Sequence, residues 1–181
     1  IIGIITMSGL ASRLSIVIST VGSQFLWIGL LITMFGCMLL GMALPTVAAY
    51  LTAYVLFMPT LLGLGIDVLP ANLFIFYFGI FAQITPPVCV ASYTAAGIAN
   101  SDSWKTGWKA FTYALCAFFA PFVFVYQPGV LLIGSILEIV IAIGTLTAGT
   151  VMLTLGLSGY FNLELNKIER AICIVSGILI C

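Results

Sequence analysis

Charged residues and histidine are scarce in this sequence. Its 181 residues include no histidine, five lysines and arginines together, and five aspartates and glutamates, so that 6% are charged and the net charge is zero. A neutral chain without a basic stripe is not expected to bind nucleic acid. An intramembrane enzyme would need a nucleophile beside a base, or a pair of carboxylates. Neither pattern occurs, so we predict that the chain is not an enzyme.

Cysteine is present but follows no pattern. The five cysteines are far apart and show none of the spacings that are typical of zinc ligands. We therefore expect no disulfide framework, no transition-metal site and no organic cofactor. The cysteines are interpreted as small apolar residues that pack within helices: Cys37, Cys89, Cys116, Cys173 and Cys181.

Apolar residues, in contrast, dominate the chain. Hydrophobic residues make up 63% of it and the mean hydropathy is +1.32, whereas soluble domains carry about a quarter charged residues. The apolar runs are long and unbroken, which favours helices over the short alternating strands of a barrel. The sequence predicts an all-α polytopic membrane protein. Because the chain begins and ends within apolar runs and shows no signal-peptide pattern, we expect it to be a fragment of a larger protein.

The first half of the chain divides into apolar runs at its polar and proline-rich segments. The run 1–21 is interrupted by "SGLASR", and Arg13 within it would cost about 3 kcal/mol in lipid. The runs 25–40 and 47–64 flank the motif "GMALPT", and "GLGIDVLPA" follows as a predicted loop containing Asp67 and Pro70. Two shorter pieces, 71–83 and 88–99, are each about 18–20 Å long as helices, which is too short to cross about 30 Å of hydrocarbon.

The second half predicts a surface helix and further spans. Residues 102–110 combine Trp104 and Trp108 with two lysines, which is typical of a helix lying in the membrane interface. Asp102 stands where its N-cap would be. We expect a span at 110–126 and a long one at about 130–157 that carries Glu138, for which a structural role is favoured. A polar loop, "NLELNKIER", and another span from Ala171 follow.

The basic residues predict an orientation. If "GIDVLP" lies outside, the positive-inside rule is met by four of the five: Lys105, Lys109, Lys167 and Arg170. This parity requires the runs flanking "GMALPT" to enter and leave from the same outer face. They would form a re-entrant hairpin with its tip at residues 41–46.

The tandem prolines predict a second interruption, within a broken helix at 71–99. Pro86 and Pro87 lack N–H donors and push the residues before them out of the helical region, so the carbonyls of residues 81–84 should lose their partners. Such backbone is tolerated at membrane depth only inside protein or along a polar cavity. A lone proline would favour a simple kink. Two prolines after Thr85, between half-length pieces and alongside a second Gly-Pro-Thr motif, favour a binding site.

Each interruption offers groups for two kinds of ligand. Unpaired carbonyls at the end of one half-helix, together with the Thr85 hydroxyl, suit a small hard cation such as sodium, and the N–H groups that begin the next half-helix suit an anion. "GMALPT" offers the same groups: Gly41 for unusual backbone angles, Pro45 to stop the helix and Thr46 as donor and acceptor.

Two stretches also carry a family resemblance. "LGMALPTVAAYLTAYVLFMPTLLGLGI" and "NLFIFYFGIFAQITPPVCVASYTAAGIA" resemble the large membrane subunit of tripartite ATP-independent periplasmic (TRAP) transporters. The likeness runs from "IIGIITMSGLASRLS" through "KTGWKAFTYALCAFFAPFVFVYQPGVLL". The tail, with "GSILEI" and "LNKIERA", is similar to the extra C-terminal helices of the form in which the large and small membrane subunits are fused.

The resemblance implies a sodium-driven, elevator-type importer of organic anions in a prokaryotic inner (plasma) membrane, fed by a soluble extracytoplasmic binding protein. Residues 1–128 would form the second of two inverted repeats, and residues 129–181 the extra transmembrane helices. The expected partners are that binding protein, the lipid bilayer, and the N-terminal half and small-subunit region of the same permease.

In that family each repeat contributes a hairpin tip and a broken helix to the ion and substrate sites. By this correspondence the sodium-binding residues would be Gly41, Met42, Thr46, Gln83, Ile84 and Thr85. The substrate-binding residues would be Pro45, Thr46, Thr85, Pro86 and Pro87. The helix breaks would be at Pro45, Pro86 and Pro87.

Two other functions remain open at this stage. A symporter for divalent anions or citrate that works without a binding protein would use the same kind of interrupted helices, and a parent gene with no binding-protein gene beside it would favour that reading. A membrane assembly subunit without transport activity would account for the hydrophobicity but not for two proline interruptions at mid-membrane depth.

Overall fold

The computed structural model describes residues 25–161, 163–164 and 166–180, together with residues 9, 13, 16, 18, 20 and 22. The predicted first span, 1–21, therefore lies mostly outside the described residues, although Arg13 is exposed. The chain forms two compact units, Ile1–Trp108 and Lys109–Cys181. They are described separately.

The first unit is built on three helices that pack against one another: α1 (Leu26–Ala43), α2 (Thr46–Gly63) and α3 (Val68–Phe81). A short 3₁₀ helix, Ala82–Ile84, tightens the end of α3. Helices α4 (Val90–Ile98) and α5 (Ser103–Ala114) follow. Pro70, predicted to lie in the loop, is in the first turn of α3, where the N–H that proline lacks would have no helical partner.

Close packing at small residues holds this unit together. In lipid, apolar surface gains little by leaving the solvent, so helices associate through tight contact between small residues. A side chain at Gly36 of α1 would collide with the ring of Phe57 of α2. The buried face of α3 is aromatic, with the rings of Phe74 and Phe78 4.8 Å apart and no exposed surface on either.

A polar contact also joins α2 to α3. The Tyr50 hydroxyl donates to Asn72 Oδ1 at 2.6 Å, and the Tyr50 ring meets Phe76 edge-on with ring centroids 5.5 Å apart. A buried hydrogen bond between helices is worth about 0.6 kcal/mol in membrane proteins. The hydrogen bond and the ring contact of Tyr50 thus join the second arm of the predicted hairpin to the predicted broken helix, whereas the packing at Gly36 joins the two arms of the hairpin.

The polar segment after α4 begins a longer helix than predicted. Asp102 caps α5 as expected, since its Oδ1 accepts from the Lys105 N–H at 3.0 Å. The separate surface helix at 102–110, however, does not end there. Helical backbone continues through the 3₁₀ segment Leu115–Phe119 into α6 (Ala120–Tyr126). No glycine or proline interrupts residues 108–120, so local sequence gives this helix no reason to stop.

The second unit continues with a 3₁₀ turn, Pro128–Leu131, and the long helix α7 (Ile136–Ser158). A small hairpin begins just before the predicted polar loop and extends into it: β1 (Tyr160–Phe161) is antiparallel to β2 (Leu163–Glu164), with Phe161 opposite Leu163. Helix α8 (Lys167–Ile180) begins earlier than the predicted Ala171. The all-α prediction therefore holds apart from this small hairpin.

Helices α7 and α8 pack along glycines. A Cβ at Gly156 would lie 2.6 Å from Ile174 Cγ1, and one at Gly177 would lie 2.7 Å from Leu153 Cγ. Arg170 closes the C-terminus of α7, because its Nε donates to the Gly156 carbonyl at 3.1 Å and its Nη2 to the Leu157 carbonyl at 3.2 Å. A cation there also suits the negative end of the helix dipole.

Glu138 has a local structural role. It lies in the first turn of α7, where its Oε2 accepts from the Ser135 N–H at 2.9 Å while the Glu138 N–H donates to Ser135 Oγ at 3.4 Å. This is a capping box, which supplies partners for two N–H groups at a helix start. The predicted span at 130–157 thus begins only at Ile136, and Glu138 marks its start.

Removing the capping hydroxyl gives a first prediction. Ser135→Ala should destabilise the first turn of α7 by about 1 kcal/mol, because the Glu138 N–H then has no partner. Amide hydrogen exchange should show faster exchange at residues 136–139 and no change in α2. The exposed Ser103→Ala is the control, since the first turn of α5 already has the Asp102 carboxylate. Equal protection of residues 136–139 in Ser135→Ala and wild type would contradict the assignment.

Within the described residues, three helical stretches are long and apolar enough to cross a membrane: Thr46–Gly63, Ser103–Tyr126 and Ile136–Ser158. Two shorter apolar helices, Leu26–Met42 and Val68–Ile84, accompany them. Large apolar side chains are exposed along these helices, among them Val47 at 72% and Ile136 at 83%. Such surfaces are compatible with lipid as the surrounding solvent.

Candidate functional site

The first interruption separates α1 from α2 by two residues. Leu44 is extended, with φ −131° and ψ 153°, and Pro45 has φ −57° and ψ 149° before α2 begins at Thr46. Proline disfavours helical backbone in the residue before it, which accounts for the end of α1. Pro45 occupies the N-cap position of α2, and no side chain accepts a hydrogen bond there. The N–H groups of the first turn of α2 are therefore not capped by a side chain.

The second interruption lies between residues 85 and 89. Thr85 is extended, with φ −99° and ψ 124°, the Pro86–Pro87 peptide bond is cis, and α4 begins at Val90. The Cys89 N–H donates back across the interruption to the Thr85 carbonyl at 3.2 Å. As at the first interruption, no side chain caps the N-terminus of α4. Residues 71–99 thus form two helical pieces separated at the tandem prolines.

Two of the carbonyls predicted to lose their partners have them. The Thr85 hydroxyl donates to the Phe81 carbonyl at 2.7 Å, and the Thr85 N–H donates to the Ala82 carbonyl at 3.3 Å. The expectation for these two carbonyls was wrong because Thr85, the residue before the prolines, supplies both donors. Thr85 itself is buried, at 6% exposure. Since its hydroxyl proton points to Phe81, the lone pairs of Oγ1 remain for another partner.

Gln83 brings the two interruptions together. Its Nε2 donates to the Gly41 carbonyl at 3.0 Å and to the Leu44 carbonyl at 3.4 Å. The two donated hydrogen bonds span 42 and 39 residues of sequence. Both carbonyls lie at the C-terminus of α1, where carbonyls have no intrahelical donor. The Gln83 amide therefore connects the C-terminus of α1 to the 3₁₀ helix that extends α3.

Gly41 permits this contact. A Cβ at Gly41 would lie 2.5 Å from Ala82 Cβ and 2.6 Å from the Gly79 carbonyl oxygen. Both neighbours are fixed to the backbone and cannot rotate away. Gly41 was singled out from the sequence for unusual backbone angles, but it lies in the last turn of α1. Its role in the structure is the close approach of α1 to α3 and its 3₁₀ extension.

The other predicted site residues lie around this contact. Met42 is half-buried in the last turn of α1, and Ile84 is half-buried at the end of the 3₁₀ helix. Pro45 and Thr46 are exposed at the start of α2; within the second interruption Pro86 is half-buried and Pro87 is exposed. The carbonyl ends of the half-helices thus meet at Gln83, whereas several of the predicted substrate residues lie on accessible surface.

Sequence reasoning missed four residues that shape the site. Gly79 and Ala82 form the surface that Gly41 approaches. Tyr93 donates through its hydroxyl to the Pro87 carbonyl at 3.1 Å, and Gly107 of α5 approaches Cys89 and Tyr93. The small residues at positions 79 and 82 could have been read as a close-packing surface, but nothing local to the sequence indicates which helix they would meet.

Comparison with protein families decides the classification. The family described as "Tripartite ATP-independent periplasmic transporter, DctM component" matches residues 1–139 of the 181-residue chain. The chain belongs to this family. The predicted resemblance is confirmed, and the chain is a membrane permease component of a TRAP transporter. No curated protein and no solved structure matches the chain.

The DctM match covers the two interruptions and Gln83. It ends at residue 139, in the first turn of α7, so that most of α7, the β-hairpin and α8 lie beyond it. Among the described residues, no group of three histidine, cysteine, aspartate or glutamate side chains could hold a metal ion.

Proposed function

We propose that this chain forms one sodium site and half of the organic-anion site of a sodium-coupled importer that depends on a binding protein. The observation that carries the proposal is the Gln83 amide, which joins the carbonyl end of α1 to the interruption after α3. Two half-helices that meet at their carbonyl ends inside a transporter are the pattern of a coupling-ion site.

The proposed site has two parts. The first, called the cation half, is the sodium site and consists of oxygen atoms near Gln83. Candidate ligands are carbonyl oxygens of Gly41, Met42 and Ile84, the oxygen atoms of Gln83, and the hydroxyl oxygens of Thr46 and Thr85. A carbonyl oxygen has two lone pairs, so Gly41 can accept from Gln83 and still face a cation. The hydroxyl of Thr85 is already oriented as an acceptor by its bond to Phe81. The negative ends of two half-helices add to the attraction for a positive ion.

The second part, called the anion half, is the portion that would bind the organic anion, and it consists of the N-termini of α2 and α4. Helices α2 and α4 both begin without a side-chain cap, at Pro45 and Cys89 respectively. Backbone N–H groups at a helix start attract carboxylates and other anions. Thr46 and the prolines of the second interruption would shape the contact with the substrate. This separation of cation and anion halves reproduces, within one repeat, the chemistry of a cation–carboxylate symporter.

The rest of the proposed mechanism follows from the family. Residues 1–128 would be the second inverted repeat, moving as part of an elevator, with Lys105, Lys109, Lys167 and Arg170 on the cytoplasmic side. The remaining half of the permease would complete the substrate site, and an extracytoplasmic binding protein would deliver the organic anion. The membrane would be the inner membrane of a prokaryote. Residues 129–181 would belong to the fused form of the permease.

The experiment that tests the sodium site is a stability titration of the full-length transporter in detergent. Sodium is compared with potassium at constant ionic strength. A cation that binds only the folded state raises its stability by RT ln(1 + [L]/Kd), which is about 2.7 kcal/mol at 100-fold saturation. We expect a rise with sodium and none with potassium. Identical curves for the two salts would overturn the sodium assignment and point to proton coupling or an assembly role.

Thr85 supplies the second prediction. Thr85→Ala should weaken sodium binding about tenfold or more, since it removes a ligand oxygen and leaves the Phe81 carbonyl without the hydroxyl donor. The sodium-dependent rise in stability would then shift to higher sodium concentrations, whereas stability in potassium would fall by only about 1 kcal/mol.

Thr33→Ala is the matched control for Thr85→Ala. Thr33 is buried in α1, and its hydroxyl also donates to the carbonyl four residues earlier, Gly29, at 2.9 Å. The Thr33→Ala variant should be less stable than the wild type in both salts but should bind sodium with unchanged affinity. If Thr85→Ala and Thr33→Ala respond to sodium alike, Thr85 is a packing residue.

Dependence on a binding protein needs its own test. Proteoliposomes containing the full-length permease are assayed for sodium-driven uptake with and without the binding protein encoded beside it. Uptake only in its presence supports the proposal. Uptake without it would indicate a symporter of the divalent-anion or citrate kind, and no uptake in either case would indicate an assembly subunit.

A further inference from the structure

The carbonyl of Pro87 is held by a side chain from the following helix. The Tyr93 hydroxyl donates to it at 3.1 Å from six residues further along the chain. The Tyr93 N–H also donates to the Cys89 carbonyl at 3.0 Å. Tyr93 therefore contacts the interruption through both its side chain and its backbone.

This contact compensates for what the prolines remove. Pro86 and Pro87 have no N–H groups, so the regular helical ladder is interrupted here, although the Cys89 N–H still donates to the Thr85 carbonyl. The peptide plane that ends at the Pro87 carbonyl is adjacent to the start of α4. Its direction sets where the first N–H groups of α4 point, and the hydrogen bond from Tyr93 is a direct constraint on it.

Helix α5 restricts Tyr93 from the other side. Gly107 is buried in α5, and a Cβ there would lie 2.9 Å from Cys89 Sγ and 3.1 Å from Tyr93 Cε1. Cys89 itself has no exposed surface. Because the side chain of Gly107 is a single hydrogen atom, α5 can pack closely against both Cys89 and Tyr93. The Tyr93 ring thus lies against α5 on one edge while its hydroxyl reaches the interruption.

We propose that Tyr93 is a positioning residue that aims the N-terminus of α4 at the substrate anion, and that Gly107 holds it in place. The proposal rests on the proposed function, because it concerns the anion half of that site. Thr85 and Gln83 order the cation half at the other end of the same interruption. Tyr93 acts on the Pro87 carbonyl and touches neither ion.

The test is Tyr93→Phe in the full-length transporter, which removes only the hydroxyl. The probe is chosen first: a panel of mono- and dicarboxylates, beginning with succinate, is screened for thermal stabilisation of the wild type at saturating sodium. With the carboxylate that stabilises it, Tyr93→Phe should raise the half-saturating concentration about fivefold, the effect of one hydrogen bond of ordinary strength. Half-saturation by sodium, measured without carboxylate, should change less than about twofold.

Two further variants make the result specific. Tyr113→Phe removes the hydroxyl of an exposed tyrosine in α5 and should leave both half-saturating concentrations unchanged. Gly107→Ala, which pushes on Tyr93 from α5, should weaken carboxylate binding in the same direction as Tyr93→Phe.

The outcomes separate this inference from the proposed function. If no carboxylate stabilises the wild type, the anion half of the proposed function fails and this inference fails with it. If a carboxylate stabilises wild type and Tyr93→Phe alike, only the positioning role is overturned. Equal weakening of sodium and carboxylate binding would also overturn it, because Tyr93 would then support the interruption as a whole.

Discussion

Gly41→Ala should disconnect the two interruptions and abolish most of the sodium response. The added methyl would lie 2.5 Å from Ala82 Cβ and 2.6 Å from the Gly79 carbonyl, so α1 must move away from α3. Overpacking of this kind costs about 1–3 kcal/mol. The displacement would lengthen the hydrogen bonds from Gln83 to Gly41 and Leu44. We expect at least a tenfold loss of sodium affinity in the stability titration, equivalent to about 1.4 kcal/mol.

Two variants sharpen the Gly41 result. Gly97→Ala in α4 is the control, because a Cβ there has no atom within 4 Å, and its sodium response should equal that of the wild type. Combining Gly41→Ala with Ala82→Gly removes the contact with the Ala82 methyl but leaves the one with the Gly79 carbonyl. The double variant should therefore recover only part of the sodium affinity. Normal sodium affinity in Gly41→Ala would show that the two half-helices need not touch.

The second large effect is expected from replacing the tandem prolines. Pro86→Ala combined with Pro87→Ala restores two N–H donors and removes the clash with the preceding turn. Helices α3 and α4 could then join into one helix from Val68 to Ile98, about 46 Å long. Thr85 would become a helical residue, and the extended backbone that it has at the interruption would be lost. Uptake by the full-length permease should fall to background while the protein still inserts into the membrane.

Pro59→Ala is the matched control for the double proline variant. Pro59 lies inside the continuous helix α2 and is exposed. Replacing it also restores an N–H donor, but it leaves both interruptions intact, so uptake should persist. Membrane fractionation confirms insertion of each variant. Retained uptake in the Pro86→Ala, Pro87→Ala variant would mean that the interruption is only a kink.

Local chemistry made several features predictable. Proline lacks an N–H donor and disfavours helical backbone in the residue before it, so the interruptions at Pro45 and at Pro86–Pro87 were predictable, whereas the single Pro59 is accommodated inside α2. The cap at Asp102 was predictable too, because its short carboxylate before a helix start has one favoured partner. The spacing S-x-x-E also indicates the Ser135–Glu138 capping box, but the apolar run around it favours one continuous span from about residue 130.

Contacts between distant residues were not predictable in the same way. In a soluble protein, apolar periodicity shows which face of a helix is buried, but here nearly every face is apolar and lipid is as apolar as a protein core. The sequence therefore gave no basis for choosing which helix Gly36, Gly41 or Gly107 would approach. The continuation of α5 into α6 is a different case, because the lack of glycine and proline in residues 108–120 is visible in the sequence.

The sequence by itself determined that this chain belongs in lipid, that it is a TRAP transporter component, and that its helices are interrupted at Pro45 and at the tandem prolines, because composition and sequence motifs are local properties. Only the tertiary structure decided that Gln83 donates to Gly41 and Leu44, and that Gly107 approaches Tyr93, whose hydroxyl donates to the Pro87 carbonyl. Those contacts depend on how closely whole helices approach. That distance is set by the small residues on both surfaces together, which no single stretch of sequence contains.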